Sequence, residues 1–149
     1  MHFARPIFFL VLALAGCGPY PRDMDGTLEH IRTQRVIRVG LTNSLDDKRQ
    51  RALISDYLQR VGQATGATSR ITVGPAEPLL VQLDDQRLDL VISEVATNSP
   101  WMTEVAMIEP LAEHKSGGRT IGLSPIARNG ENQWIALLET QSRGMKDAR

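Results

Sequence analysis

The segment "RLDLVISEVATNSPWMTEVAMIEPL", Arg87 to Leu111, decides the reading of the fold. Leu88 to Ile92 form an apolar run in which Val91 falls on the opposite strand face from Leu90 and Ile92, so both faces are apolar. A strand of this kind sits centrally in a parallel sheet covered by helices on both sides. The run stops at a polar cluster, Ser93 to Ser99, and resumes as a second β-rich segment that ends at Glu109-Pro110. Ser99 followed by Pro100 is an N-cap and first-turn pair, which predicts a single helical turn over residues 100–103 with its free N–H groups facing the strand ends.

Working outward, "VIRVGL" (Val36 to Leu41) reads as a first strand ending in Thr42-Asn43-Ser44. Leu53, Ile54, Tyr57, Leu58 and Val61 then lie on one face of a helix stopped between Gly62 and Gly66. "RITV" is a short strand, and Pro75 to Asp85 a second helix with Leu79, Leu80 and Leu83 inward. The order β-α-β-α-β predicts an α/β fold, an open and mainly parallel sheet with helices on both faces and right-handed crossovers. Ahead of it, "TLEHIRTQ" is a short helix with Thr27 as N-cap; after it, a strand leads to a last helix with Asn129 as N-cap and Trp134, Ile135, Leu137 and Leu138 on the sheet. The end, "QSRGMKDAR", is expected to fray, with residues 144–149 as a tail.

Ligands bind such sheets outside the carboxyl ends of the strands. Two loops qualify, Thr42 to Asp46 and Ser93 to Ser99, which nominates Asn43, Ser93, Glu94, Thr97, Asn98, Ser99 and, at the rim, Trp101. Two readings of the second loop stand side by side. The helical turn holds an anion or polar group, or the polar residues satisfy only their own turn. Trp101 is in the same way either an interface anchor flanked by polar groups or a core plug beneath the loop.

Composition narrows the function. The chain has 149 residues, a formal net charge of zero, 23% charged and 5% aromatic residues, and no run of five like charges, which argues against a nucleic-acid surface. His30 and His114 stand apart, with no metal-ligand spacing, so neither a metal nor a cofactor is expected. Glu94 or Glu109 as a general acid or base would need a desolvated pocket, and a non-enzymatic protein is the expectation.

The N-terminus reads as an export signal. "MHFARPIFFLVLALAGCG" places Arg5 before an apolar run from Pro6 to Ala15, too short for a permanent span and suited to a signal-peptide core. The run ends in Leu14-Ala15-Gly16-Cys17, which resembles the lipobox of bacterial lipoproteins and implies acylation of Cys17. Cys17 is the one cysteine in the chain, so the mature protein is expected to lack a disulfide. Gly18 stands where an Asp would imply inner-membrane retention, so the periplasmic face of the envelope, the outer membrane favoured over the inner, is the expected location. The domains expected are thus a signal peptide (1–16), a flexible tether (17–26), one lobe (27–143) and the tail.

"TLEHIRTQRVIRVGLT" and "LLVQLDDQRLDLVISEVATNSPWMTEVAMIEPL" together resemble the first lobe of bacterial extracellular solute-binding proteins of the amino-acid type, family 3, and "RTIGLSPIARNGENQWIALLE" resembles the strand and helix by which such chains return to that lobe. The resemblance implies a periplasmic-binding-protein-like fold and the substrate-binding component of an ABC importer for a small polar solute such as an amino acid, with an ABC permease as partner. Two departures matter. In the family a second lobe follows the position of Pro110-Leu111, whereas here only "AEHKSGG", of loop length, intervenes. The family's carboxylate-binding Arg falls on or beside Trp101, and no Arg or Lys lies between Arg87 and Lys115. Glu94 would repel a carboxylate and receive an ammonium group. These departures support an alternative, an accessory or sensory lipoprotein that docks another envelope protein.

Overall fold

The structure, a computed structural model, describes residues 22–45, 47–96, 103 and 105–147. Cys17 and the turn residues Thr97, Asn98, Ser99 and Trp101 lie outside them. In chain order the elements are α1 (Thr27–Gln34), β1 (Val36–Thr42), α2 (Lys48–Thr65), β2 (Thr68–Gly74), α3 (Ala76–Asp84), β3 (Leu90–Ala96), β4 (Val105–Met107), β5 (Ala112–Ser116), β6 (Arg119–Arg128) and α4 (Asn132–Asp147). No helix among the described residues is long and apolar enough to cross a membrane.

One sheet runs in the order β2-β1-β3-β6-β4, with β5 also paired to β6. β1 lies parallel to both β2 and β3, and β6 antiparallel to β3. β4 and β5 share the far side of β6, Val105 to Met107 opposite Arg128 to Ile126, and Ala112 to Ser116 opposite Leu123 to Arg119. The sheet is therefore open and mixed, with β6 alone running against the rest.

The alternation along β3 distributes the core as the sequence predicts. Leu90 and Ile92 join Ile37, Val39, Ile54, Tyr57, Leu58, Val61, Trp134 and Leu138 beneath α1, α2 and α4, while Val91 packs with Leu79, Leu83, Leu88 and Ile126 beneath α3. Gly40 of β1 permits the close approach of α3: a Cβ there would meet Leu88 Cδ1 at 2.9 Å and Leu79 Cδ2 at 3.2 Å.

Four boundaries differ from the expectation. β3 does not end at Ile92 but continues to Ala96, because β6 supplies a backbone partner for each residue from Val91 to Ala96. "AEHKS" is strand β5 rather than loop, joined to β6 by Gly117 and Gly118, whose φ of 57° and 75° suit a tight two-residue hairpin turn. The last helix continues to Asp147, since Met145 is buried and Lys146 pairs with Glu109. Residues 23–27, expected partly as tether, are held by long-range caps. Glu131 accepts from the N–H groups of Asp25 and Thr27 at 2.9 Å each, and Asp23 accepts from Gln133 at 2.6 Å, Trp134 at 3.0 Å and Leu28 at 2.9 Å. Each acidic residue caps the other's helix, and neither Thr27 nor Asn129 serves as a side-chain cap: the N-cap of α1 is Gly26, and α4 takes its cap from Asp23.

Candidate functional site

The carboxyl ends of β1 and β3 lie beside the amino ends of α2 and α3, as the crossover topology dictates. Glu94 shares a strand face with Leu90 and Ile92, so its side chain rises on the α2 side. There Gln50 Nε2 donates to Glu94 Oε1 at 2.5 Å, and His114 Nδ1 of β5 stands 3.7 Å from the same oxygen. Register explains the second approach: Glu94 lies opposite Leu123 and His114 opposite Ile121, so both side chains share one face across β6. The Glu94 side chain is 25% exposed and that of His114 51%.

These residues line an open cavity of about 350 Å³ with Asp47, Arg49, Leu53, Ala112, Glu113 and Leu123. The volume falls at the lower end of the range for small-molecule sites. Its wall carries three carboxylates, Asp47, Glu94 and Glu113, against one guanidinium, Arg49. Asp47 is partly spoken for as N-cap of α2, accepting from Arg49 N at 3.0 Å. Glu94 retains solvent access and, among the described residues, receives the Gln50 amide and the more distant imidazole, which leaves room for a cationic group at its carboxylate. Among the described residues no group of three or more His, Cys, Asp or Glu is placed to hold a metal ion.

Of the nominated residues that it describes, the structure sets Asn43 apart from Ser93 and Glu94. Ser93 and Glu94 are strand residues rather than loop residues, and alternation sends them to opposite sides. Ser93 is buried, donates to Glu94 O at 3.3 Å, and lines a second cavity of about 350 Å³ beneath α3 with Ala76, Glu77, Leu80, Val95, Val105 and Met107, a cavity that Glu94 also borders. Asn43 lies at the end of β1, its N–H bonded to Gly74 O at 3.1 Å, and lines the groove between α2 and β2 instead of the Glu94 cavity. Gln50 and His114 are the residues that sequence reasoning missed. Ser-Gly-Gly-Arg, between two β-capable segments, is the hairpin signal that would have placed His114 on a strand.

No family model and no curated protein matches this sequence. Solved structures do match its fold. A point mutant of the arginine-bound form of domain 1 from TmArgBP superposes with a TM-score of 0.68 at 16% identity, covering 80% of this chain and 98% of that one. An ancestral cationic amino acid solute-binding protein gives 0.67 at 11% identity, covering 82% and 94%. An amino acid ABC transporter substrate-binding protein from Streptococcus pneumoniae bound to L-arginine gives 0.67 at 8%, covering 82% and 92%. The described sheet and its helices thus have the fold of one lobe of the amino-acid solute-binding proteins.

Proposed function

We propose that this chain is an extracytoplasmic solute-binding domain, anchored through an acylated Cys17, whose ligand is a small polar molecule with a cationic group such as an amino acid. One observation carries the reading: a partly exposed carboxylate, Glu94, sits at the carboxyl end of β3 in a cavity that carries three carboxylates against one guanidinium. The structural neighbours that are arginine-bound or named for cationic amino acids support the same ligand class. Binding rather than catalysis suits a carboxylate open to solvent, because a general base needs a drier setting to reach a useful pKa. The anchor rests on the apolar run and Leu14-Ala15-Gly16-Cys17 alone.

The test is a thermal-shift series with arginine, lysine and a diamine against glutamate and succinate. A ligand at 100 times its dissociation constant adds about 2.7 kcal/mol to stability. Selective stabilisation by the cationic compounds, lost in Glu94→Gln, is the expected result; equal or absent shifts with all five would overturn it. Loss of membrane association in Cys17→Ser tests the anchor separately.

The hairpin favours a second reading. Where the resemblance places a second lobe, Gly117 and Gly118 close the chain in a tight turn, so among the described residues the Glu94 cavity is lined by a single lobe and buries a small molecule poorly. In this reading the same acidic shelf receives a basic segment of an envelope partner. An importer role would show as solute uptake that depends on the chain, a docking role as recovery of one partner without uptake.

A further inference from the structure

At the other side of the sheet, β2 is an edge strand: among the described residues only β1 pairs with it. Exposed strand edges are templates for further pairing, and proteins usually blunt them with proline, bulges or inward charges. β2 is a seven-residue strand without proline, in unbroken register with β1 from Thr68 to Gly74. Its hydrogen-bonding direction follows from its two ends. Thr68 N–H donates to Arg35 O at 3.0 Å and Gly74 O accepts from Asn43 N–H at 3.1 Å, so Thr68, Arg70, Thr72 and Gly74 turn their peptide groups toward β1. Period two then turns those of Ser69, Ile71 and Val73 outward.

The same three residues line an apolar groove of about 990 Å³ between β2 and α2, with Leu41, Ile54 and Leu58 among its walls. Ile71 is 50% exposed and Val73 64%, and they are among the few large apolar side chains left in solvent among the described residues. Open peptide groups and open apolar side chains therefore coincide on one edge.

We propose that β2 pairs antiparallel with β2 of a second copy about a two-fold axis at Ile71. An isologous contact must be self-complementary, and the parity of β2 singles out this register. With Ile71 opposite the second copy's Ile71, Ser69 lies opposite Val73 on both sides, so every outward-facing residue meets another as a hydrogen-bonded pair. Arg70 then lies opposite Thr72. Moving the axis to Arg70 sets two guanidinium groups against each other, which destabilises a sheet pair, and moving it to Thr72 strands the Ser69 peptide groups. In the favoured register Ile71 and Val73 of each copy enter the groove beside the other copy's α2, and one sheet runs through both molecules. This pairing is independent of the solute-binding reading, since Glu94 and His114 lie off this edge.

Directly opposed residues of a hydrogen-bonded antiparallel pair have Cα atoms about 5.5 Å apart, within the span of a disulfide. The test uses the full chain with Ile71→Cys, compared with Val81→Cys at an equally open position of α3 and with the unsubstituted chain as control for linkage through Cys17. Under mild oxidation in cells, a homodimer formed by Ile71→Cys in clear excess over both controls is the expected result. Equal dimer in all three, no dimer, or a crosslink from the introduced thiol to a different protein would each overturn the pairing, the last by assigning the edge to a partner. Sedimentation of the edge variant Val73→Glu, which carries no added thiol, gives a second measure: the unsubstituted chain should show a concentration-dependent dimer that this variant loses with its circular dichroism unchanged. A chain that sediments as a monomer at its highest soluble concentration would also overturn the proposal.

Discussion

The two ends of the sheet are built in opposite ways. At the amino ends of β1 and β3, polar groups are closed upon one another: Asp89 accepts from the backbone N–H of Arg38 at 2.8 Å and from its guanidinium, the Trp134 indole N–H donates to Asp89 O at 2.7 Å, and Asp23 and Glu131 cap each other's helices. The Asp89 contacts hold the Arg38 guanidinium above its ordinary pKa, chiefly through the hydrogen bond. At the carboxyl ends, Glu94 has, among the described residues, one amide donor and a neighbouring imidazole, and its side chain is 25% exposed. A closed network rigidifies, because every removed partner leaves a desolvated group behind. An open carboxylate is free to take a partner from outside. The contrast separates residues that hold the lobe together from those that are available for binding.

The sharpest way to break the closed end is Glu131→Ala. Glu131 is 0% exposed, accepts from the N–H groups of Asp25 and of Thr27 at the start of α1, and pairs with Arg128, which also pairs with Asp25. Removing it leaves the poorly exposed Arg128 guanidinium with Asp25 and orphans two amides, and unsatisfied buried groups of this kind cost about 1–3 kcal/mol each. Urea unfolding should show this loss as a lowered midpoint with little change in slope. A change below the magnitude of a surface substitution would show that the two ends do not differ in the way described.

A smaller effect with a pH signature comes from Tyr57. Its ring is fully buried and its hydroxyl donates to Leu138 O at 3.1 Å. Burial pushes the phenol well above the ordinary tyrosine range. The sign follows from linkage: above a pH of about 10 the unfolded phenol loses its proton while the folded one retains it, so stability falls as pH rises beyond that point. Tyr57→Phe should lose about 1 kcal/mol at neutral pH, the net value of the hydrogen bond. Its alkaline unfolding should be shallower than that of the unsubstituted chain, so that the two stability curves converge as pH rises. Parallel curves from neutral to alkaline pH would refute the assignment.

Much of this contrast is legible in the sequence, and the reasons it is not wholly so are physical. Hydrophobic periodicity places α2, α3 and the two-faced strand β3, because side-chain spacing is a local property. The end of β3 escapes it because Ser93 and Glu94 look like turn residues until β6, nearly thirty positions later, is known to pair with them. Asp23 and Glu131 act as caps across separations of more than a hundred residues, so no local capping pattern announces them. Proximity to strand ends groups Asn43 and Ser93 with Glu94, but Asn43 lines the groove between α2 and β2, and strand alternation leaves Ser93 out of the cavity that Glu94 shares with His114. His114 looks like a residue of a glycine-rich connection, although the paired glycines are themselves a hairpin signal.

The smallest expected change in stability is also the most informative about function. Glu94→Gln keeps the shape of the side chain and an acceptor oxygen for the Gln50 amide, which donates at 2.5 Å, while removing the charge that faces His114. The Glu94–His114 contact spans 3.7 Å with both members in contact with solvent, and even with the imidazole charged a pair of this class contributes between nothing and about 1 kcal/mol. Unfolding of Glu94→Gln should therefore fall within about 0.5 kcal/mol of the unsubstituted chain, the range of a surface substitution. Its response to cationic solutes should nevertheless vanish, because the remaining acidic residues of the cavity are N-cap Asp47 and Glu113, and neither stands at the end of β3. A residue that matters to stability as little as this, yet governs the response to added solute, belongs to a site. A loss comparable with that of Glu131→Ala would place Glu94 among the closed network residues instead, and the carboxyl end of the sheet would no longer be the place to look for a ligand.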